Sequence, residues 1–362
     1  QNSKYLRKTI LIEDKHEKFQ LRTSGREIIF DGFERVLKDD ADSDESQKLQ
    51  GIHDDSKLVI TLLRNAVEIN NAIAINYMEI TDIKKQSSKY QITVINKLND
   101  NKHIFIANNI IAATGVHSLP GDYSVKSSVI KFSGGAHLIL KDDPLKIKGN
   151  GILLPKTEDD RIMFVLPWFG NTIVGTTDTE TFSGTLDRPY ANNDDKEYII
   201  RHIKKYFNVD TVEYMSSWSG IRALIDNKLT STKNVSRGHF FNNVDERFIQ
   251  ISGGKLTGFR LIAKESLELL FNNNFELSPL SYTDEVLNLS NKFNENDLKK
   301  CFEHYCIAKP TDYMLRRTHL SWFNKSGGKD ELLKIIKNFD MDGIEGDTLN
   351  ELHDEGLLSK TY

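Results

Sequence analysis

The chain has 362 residues, enough for two or three domains with cores of their own. Its net charge of −4 and the lack of any long basic block argue against nucleic acid as the main partner, but a small anion needs only a local patch. No apolar run reaches the length of a membrane span and no signal peptide is visible, so a cytoplasmic protein, or one resting on a membrane surface, is expected.

Residues 1–37 alternate charged and β-rich pieces, which predicts strands or a hairpin around 8–12 and 26–30. Residues 38–48 form an acidic polar run that cannot bury a core. A mobile loop is expected there, with a metal-binding loop as the alternative. From Asp54 the pattern turns helical. Leu58, Leu62, Ala66 and Ile69 mark one face, and Asp54 or Asp55 is placed to cap it. Strands are predicted at 72–80, 90–98 and 103–107, with a turn at 99–101. A buried strand over 109–115 then ends in Ala113-Thr114-Gly115.

Residues 130–247 read as mostly β, with strands at 136–140, 152–154, 162–166, 172–175 and 214–225 and an amphipathic helix at 194–207. From about 278 the pattern is helical, at 297–308, 310–320, 329–339 and 348–356. Cys301 and Cys306 have no metal or disulfide spacing and are expected as buried reduced thiols. The glycine of Asp340-Met341-Asp342-Gly343 is misplaced for an EF-hand, and no metal ligand set is predicted.

The most informative stretch is 247–263, which reads as strand, tight turn and helix. Gly253 and Gly254 permit positive φ and leave no Cβ in the way of a ligand. The following helix offers unpaired N–H groups and the positive end of its dipole, and Lys255 adds a full charge. Such a corner suits a phosphate or a reduced flavin. It reads equally as an ordinary glycine-rich connection. It is not a P-loop, because Ile249 and Leu256 stand where that motif needs Gly and Ser or Thr.

Four stretches in order carry a family resemblance: IKFSGGAHLIL (130–140), RIMFVLPWFGNTIVGTTDTE (161–180), WSGIRALI (218–225) and SGGKLTGFR (252–260). LRRTHLSWFN (315–324) adds a looser one. Together they resemble the FAD-dependent glycerol-3-phosphate dehydrogenases. The resemblance implies an α/β (α+β) two-domain flavoprotein of the glucose-inhibited or D-amino-acid-oxidase-like type. It implies an irregular or β segment at 1–45 associated with the cap, part of the FAD-binding domain at 46–120 and a β-rich substrate cap at 121–247. The last strand and helix of the FAD-binding domain fall at 248–275, and a small C-terminal helical domain at 276–362.

The resemblance also implies roles. Arg222 and Arg237 match substrate-pocket arginines, and an arginine fork suits a phosphate dianion. His137 matches a histidine at the substrate site, where it serves as a proton acceptor or an electrostatic contact. Lys255 matches a residue beside the flavin that steadies charge on the reduced ring or touches substrate. Thr114, Gly115, Gly253, Gly254, Leu256 and Thr257 match the cofactor-binding turns. Outside that context, each arginine reads as an ion-pair partner and His137 as a satisfied structural residue. Trp168, Thr176, Thr177 and Asp178 read mainly as core and turn, their polar atoms bonded to loop backbone.

The implied activity is oxidation of sn-glycerol 3-phosphate to dihydroxyacetone phosphate with FAD, electrons passing to quinone. Dioxygen as acceptor, or a non-catalytic binding module, are the competing readings. A membrane surface, on the inner membrane, and a second copy of the chain are the further partners the resemblance allows. Two departures stand out. Val116-His117 follows Ala-Thr-Gly where the family has Pro and an aromatic residue, and Ala223 replaces a proline after the arginine. A G-x-G-x-x-G triplet, which the family carries at its beginning, is absent from the chain, so weak FAD binding by the chain alone is expected.

Overall fold

The computed structural model describes residues 9–11, 23–24, 27–28, 55–70, 72–123, 130–148, 150–154, 156–225, 239–272, 295–324, 327–338, 349–352 and 357. The acidic run at 38–48 lies outside them. In chain order the strands are β1 (Thr9–Leu11), β2 (Thr23–Ser24), β3 (Glu27–Ile28), β4 (Met78–Gln86), β5 (Lys89–Asn96), β6 (Lys102–Ala107), β7 (Ile110–Ala112), β8 (Ile130–Leu140), β9 (Gly151–Leu154), β10 (Met163–Trp168), β11 (Asn171–Gly175), β12 (Ser183–Gly184), β13 (Pro189–Tyr190), β14 (Ser216–Ile225), β15 (His239–Asp245) and β16 (Phe248–Gly253). The main helices are α1 (Asp55–Asn70), α2 (Asn193–Phe207), α3 (Phe259–Phe271), α4 (Glu295–His304) and α5 (Lys329–Asn338).

The largest sheet has the order β1-β9-β10-β11-β8-β14 and is antiparallel except for the β1–β9 edge. Its strands alternate. Ala136, Leu138 and Leu140 of β8, with Leu154, Met163, Val165 and Val174, turn to one face and pack on Ile199 and Ile203 of α2. Ile139, Trp168 and Trp218 turn to the other face and join a core built from Leu298, Tyr313, Met314, Leu320 and Trp322. The sheet is therefore covered on one side by α2 and on the other by the C-terminal helices, the arrangement that period-two burial on both faces demands.

A second sheet, β15-β16-β7, pairs β16 antiparallel to β15 and parallel to β7. Behind it lies the antiparallel β4-β5-β6 sheet. Tyr90, Ile83, Ala112, Leu119 and Phe248 form their shared core. The Tyr77 hydroxyl donates to Asp312 at 2.8 Å, and the same carboxylate accepts the N–H groups of Ala308 and Lys309. This ties the start of β4 to the C-terminal unit.

Several expectations are revised. The strand expected from 72 begins at Met78, because Ala72 still bonds back to Ala66 at the end of α1 and Tyr77 takes φ 56°. On α1 the buried side chains are Ile60 and Asn65, while Leu58, Leu62 and Ala66 are half-buried. The C-terminal unit covers only the Ile60 side. The helix expected at 310–320 is a π-helical turn (Asp312–Arg317), a left-handed His319 and a tight 3-10 turn (Leu320–Phe323). Thr318 sets this geometry, since its N–H and hydroxyl both donate to the carbonyl of Tyr313. Cys301 is buried, but Cys306 is exposed, because it lies in the turn after α4 with φ 51°.

Helix α2 is anchored at its start by a capping box. Asn192 accepts from Asp195 N–H at 2.9 Å, and Asp195 accepts from Asn192 N–H at 3.2 Å. The other oxygen of Asp195 accepts from the Thr177 hydroxyl, which itself accepts Ala136 N–H. Asp195→Ala is expected to lose the cap and leave Thr177 without its acceptor. The expected destabilisation is about 1–3 kcal/mol, read by urea denaturation.

Candidate active site

Side-chain alternation on the β8–β14 ladder builds one wall of a cleft. The register sets Trp218 opposite His137, Gly220 opposite Gly135 and Arg222 opposite Ser133. In each strand, residues two apart share a face, so all six lie on the side away from α2. Leu166 and Ile173 extend the wall, and Leu315, Arg316, His319 and Trp322 close it from the C-terminal unit. Asp55 and Ser56 at the start of α1 complete a cavity of about 520 Å³.

Two glycines make the polar part of the wall. A Cβ on Gly135 would lie 2.6 Å from Nη1 of Arg222, so the guanidinium rests on bare backbone. A Cβ on Gly175 would come within 2.9 Å of Cγ of His137, so the imidazole lies against a strand that carries no side chain there. Arg222 donates from Nη2 to the Thr176 hydroxyl at 2.8 Å and from Nη1 to the Gly134 carbonyl at 3.3 Å. Asp178 is 3.9 Å from Arg222 and is itself held by Arg161 at 2.5 Å and by Ser133. Its partners are thus side chains, where bonds to loop backbone were expected. Thr177 bonds backbone and carboxylate alike, and Trp168 packs against Trp218, Phe169, His319 and Phe323.

His137 accepts at Nδ1 from the indole N–H of Trp218 at 2.8 Å. The residue is half-buried and lines the cleft. Burial, and then the Arg222 cation, push its pKa down to about 4. It is therefore neutral at physiological pH.

The second group of sequence-selected residues sits on the neighbouring sheet, whose strand β16 packs against β14. Because β7 and β16 are parallel, Thr114-Gly115 and Gly253-Gly254 leave the same edge of the sheet. Gly115, Gly253 and Gly254 have φ of 61°, 72° and 88°. Lys255 is exposed, and Leu256 and Thr257 open the 3-10 turn that leads into α3. Helix-opening N–H groups have no carbonyl one turn back, so this edge presents donors. Lys255 is not part of the cleft wall. Arg237 lies outside the described residues.

The structure thus brings His137 and Arg222 into one cleft and gathers the glycine turns at one sheet edge beside it. Trp218, Arg316, His319 and Trp322 were not selected from sequence. The signals for them were the period-two spacing of Trp218 and Arg222 and the 315–324 stretch.

The depressed pKa of His137 has a defined stability signature. The unfolded chain binds a proton at this residue near pH 6.5 and the folded chain only near 4. The contribution is complete above 6.5 and is lost as pH falls toward 4. From pH 7 to pH 5 the chain is expected to lose about 1–2 kcal/mol more than His137→Gln, read by urea denaturation of both proteins at the two pH values.

No family model matches the chain. It is 31% identical over 254 residues to the mitochondrial glycerol-3-phosphate dehydrogenase of Schizosaccharomyces pombe, covering 62% of this chain and 38% of that protein. It is 30% identical over 224 residues to the aerobic glycerol-3-phosphate dehydrogenase of Bacillus subtilis, covering 60% of this chain and 40% of that one. The chain therefore spans less than half the length of these relatives. Its fold is that of the glycerol-3-phosphate dehydrogenase from Bacillus halodurans, solved in complex with FAD. That match has a TM-score of 0.67 at 19% identity, over 96% of this chain and 80% of the other. The chain is thus similar in sequence to glycerol-3-phosphate dehydrogenases over about 60% of its length and shares the fold of one solved in complex with FAD.

Proposed function

We propose that the protein oxidises sn-glycerol 3-phosphate to dihydroxyacetone phosphate with FAD and passes the electrons to quinone. The observation that carries this reading is the placing of His137 and Arg222 on one face of β8 and β14, beside a sheet edge made of glycine turns. The residues at that edge fit a flavin. Three positive-φ glycines stand where two parallel strands end, Gly115 exposed and Gly254 packed against Ile262, and Lys255 adds a cation beside them. Bound there, FAD supplies the hydride acceptor.

The protein's own residues do the rest. Arg222 attracts the phosphate dianion with its planar fork, held in place by Thr176 and the Gly134 carbonyl and with Asp178 3.9 Å away. Trp168, Trp218 and Trp322 form apolar walls that exclude water and strengthen that attraction. His137 meets the substrate as a neutral imidazole. Lys255 offsets negative charge gathering on the cofactor side. Arg237, Thr114, Gly115, Leu256 and Thr257 remain the further contacts we assign to substrate and cofactor.

Quinone, rather than dioxygen, is favoured by the short Arg237–Phe248 connection in the sequence, since oxidases of the group the chain resembles often carry an insertion before the stretch that matches 252–260. A quinone acceptor places the protein at a membrane surface. Among the described residues no helix is long and apolar enough to cross one.

The test is made on the protein expressed from its full gene. It is expected to purify yellow, to bleach anaerobically with glycerol 3-phosphate, and to recover its colour faster with a soluble quinone than with air. A colourless protein that takes up no FAD would overturn the proposal. Arg222→Lys loses the planar fork and is expected to raise KM about tenfold to a hundredfold, the worth of one charge-assisted hydrogen bond. Steady-state kinetics check this, and unchanged KM and kcat would remove Arg222 from the site.

A further inference from the structure

We infer that Trp218 is a positioning residue: it fixes the proton of His137 on Nε2 and makes this histidine a hydrogen-bond donor toward the cleft. The inference rests on the proposed function for its catalytic meaning, but its geometry stands without it.

An indole N–H can only donate. At 2.8 Å from Nδ1 of His137 it requires a lone pair on that nitrogen. A neutral imidazole with a lone pair on Nδ1 carries its proton on Nε2.

Trp218 is held in place for this task. Its ring stands edge-on to Trp168 at 4.9 Å and 87° and to Trp322 at 5.2 Å and 82°. The β8–β14 register puts it directly across from His137. On the other side of the imidazole, a Cβ at Gly175 would lie 2.5 Å from Cδ2. With Nδ1 against the indole and Cδ2 against Gly175, the far end of the ring, carrying Nε2, remains for the cleft that His137 lines. Trp322 belongs to the C-terminal unit, so that unit helps set the protonation of a residue on the sheet.

The consequence concerns the direction of proton flow. A ring that already carries hydrogen on Nε2 holds a substrate oxygen by donating to it. It does not take the proton of the alcohol at that atom. His137 thus acts on the substrate oxygen as a hydrogen-bond donor from Nε2.

The test needs no substrate or flavin. The chain is labelled with 15N-histidine and the ring nitrogens are read by long-range 1H–15N correlation, with the His137 signals assigned by their loss in His137→Gln. The wild-type protein at pH 7 is expected to show an unprotonated Nδ1 and a protonated Nε2. In Trp218→Phe, which keeps an aromatic ring but loses the donor, both signals are expected to move toward the averaged values of a mixed tautomer. In Trp168→Phe, which disturbs the same aromatic cluster but keeps the donor, the wild-type pattern is expected. A proton on Nδ1 in the wild-type protein would overturn the inference. So would no change in Trp218→Phe, or equal changes in both variants, which would trace the effect to packing alone. If Trp218→Phe does not fold, the wild-type spectrum still decides the tautomer. Failure of flavin reduction would sink the proposed function without touching this result, and the converse also holds.

Discussion

The ten-residue antiparallel ladder between β8 and β14 is the constraint on which the cleft depends. Its side chains alternate between two buried faces, so the register cannot slip. A shift of one residue would send His137 into the α2 core and Leu138 into the cleft. The burial of Ala136, Leu138 and Leu140 against Ile199 and Ile203 thus orients the polar residues between them. Apolar packing on one side of the strand positions chemistry on the other.

The same ladder explains the glycines. Arginine and histidine side chains occupy the space where Cβ atoms of neighbouring strands would stand, and Gly135 and Gly175 vacate it. The guanidinium then lies against carbonyls and hydroxyls that orient it, with the Asp178 carboxylate 3.9 Å away. Removing water from this wall strengthens the field of the cation and also holds His137 neutral. One arrangement therefore gives an anion-attracting surface and a histidine that does not compete with it by charging.

The C-terminal unit belongs to the site. Its π-helical and 3-10 turns share a core with Ile139 and bring Arg316, His319 and Trp322 to the cleft. The Tyr77–Asp312 hydrogen bond fastens it to the first residues of the hairpin sheet. Shifts in this unit are thereby coupled, through Trp322 and Trp218, to the atoms around His137.

Much of this was legible in the chain itself. The positive φ of Gly253 and Gly254 follows from a strand meeting a helix across two glycines, and α2 from its apolar spacing, while its Asn192 cap emerged only in the structure. Local backbone preference and periodicity determine such elements, so a single sequence contains them. The start of β4, the π-helical turn and the exposure of Cys306 were not legible. They turn on Tyr77, Thr318 and a post-helix turn whose conformations come from hydrogen bonds and packing that local propensity does not encode. The sequence by itself determined most strands of the main sheet, the glycine turns and the residue types able to hold an anion, but not β15 or the start of β4. Tertiary structure alone decided that Trp218 would meet Nδ1 of His137 and that residues 315–322 would roof the same cleft. Strand register and the packing of distant segments create those contacts, and neither is a property of any local stretch of chain.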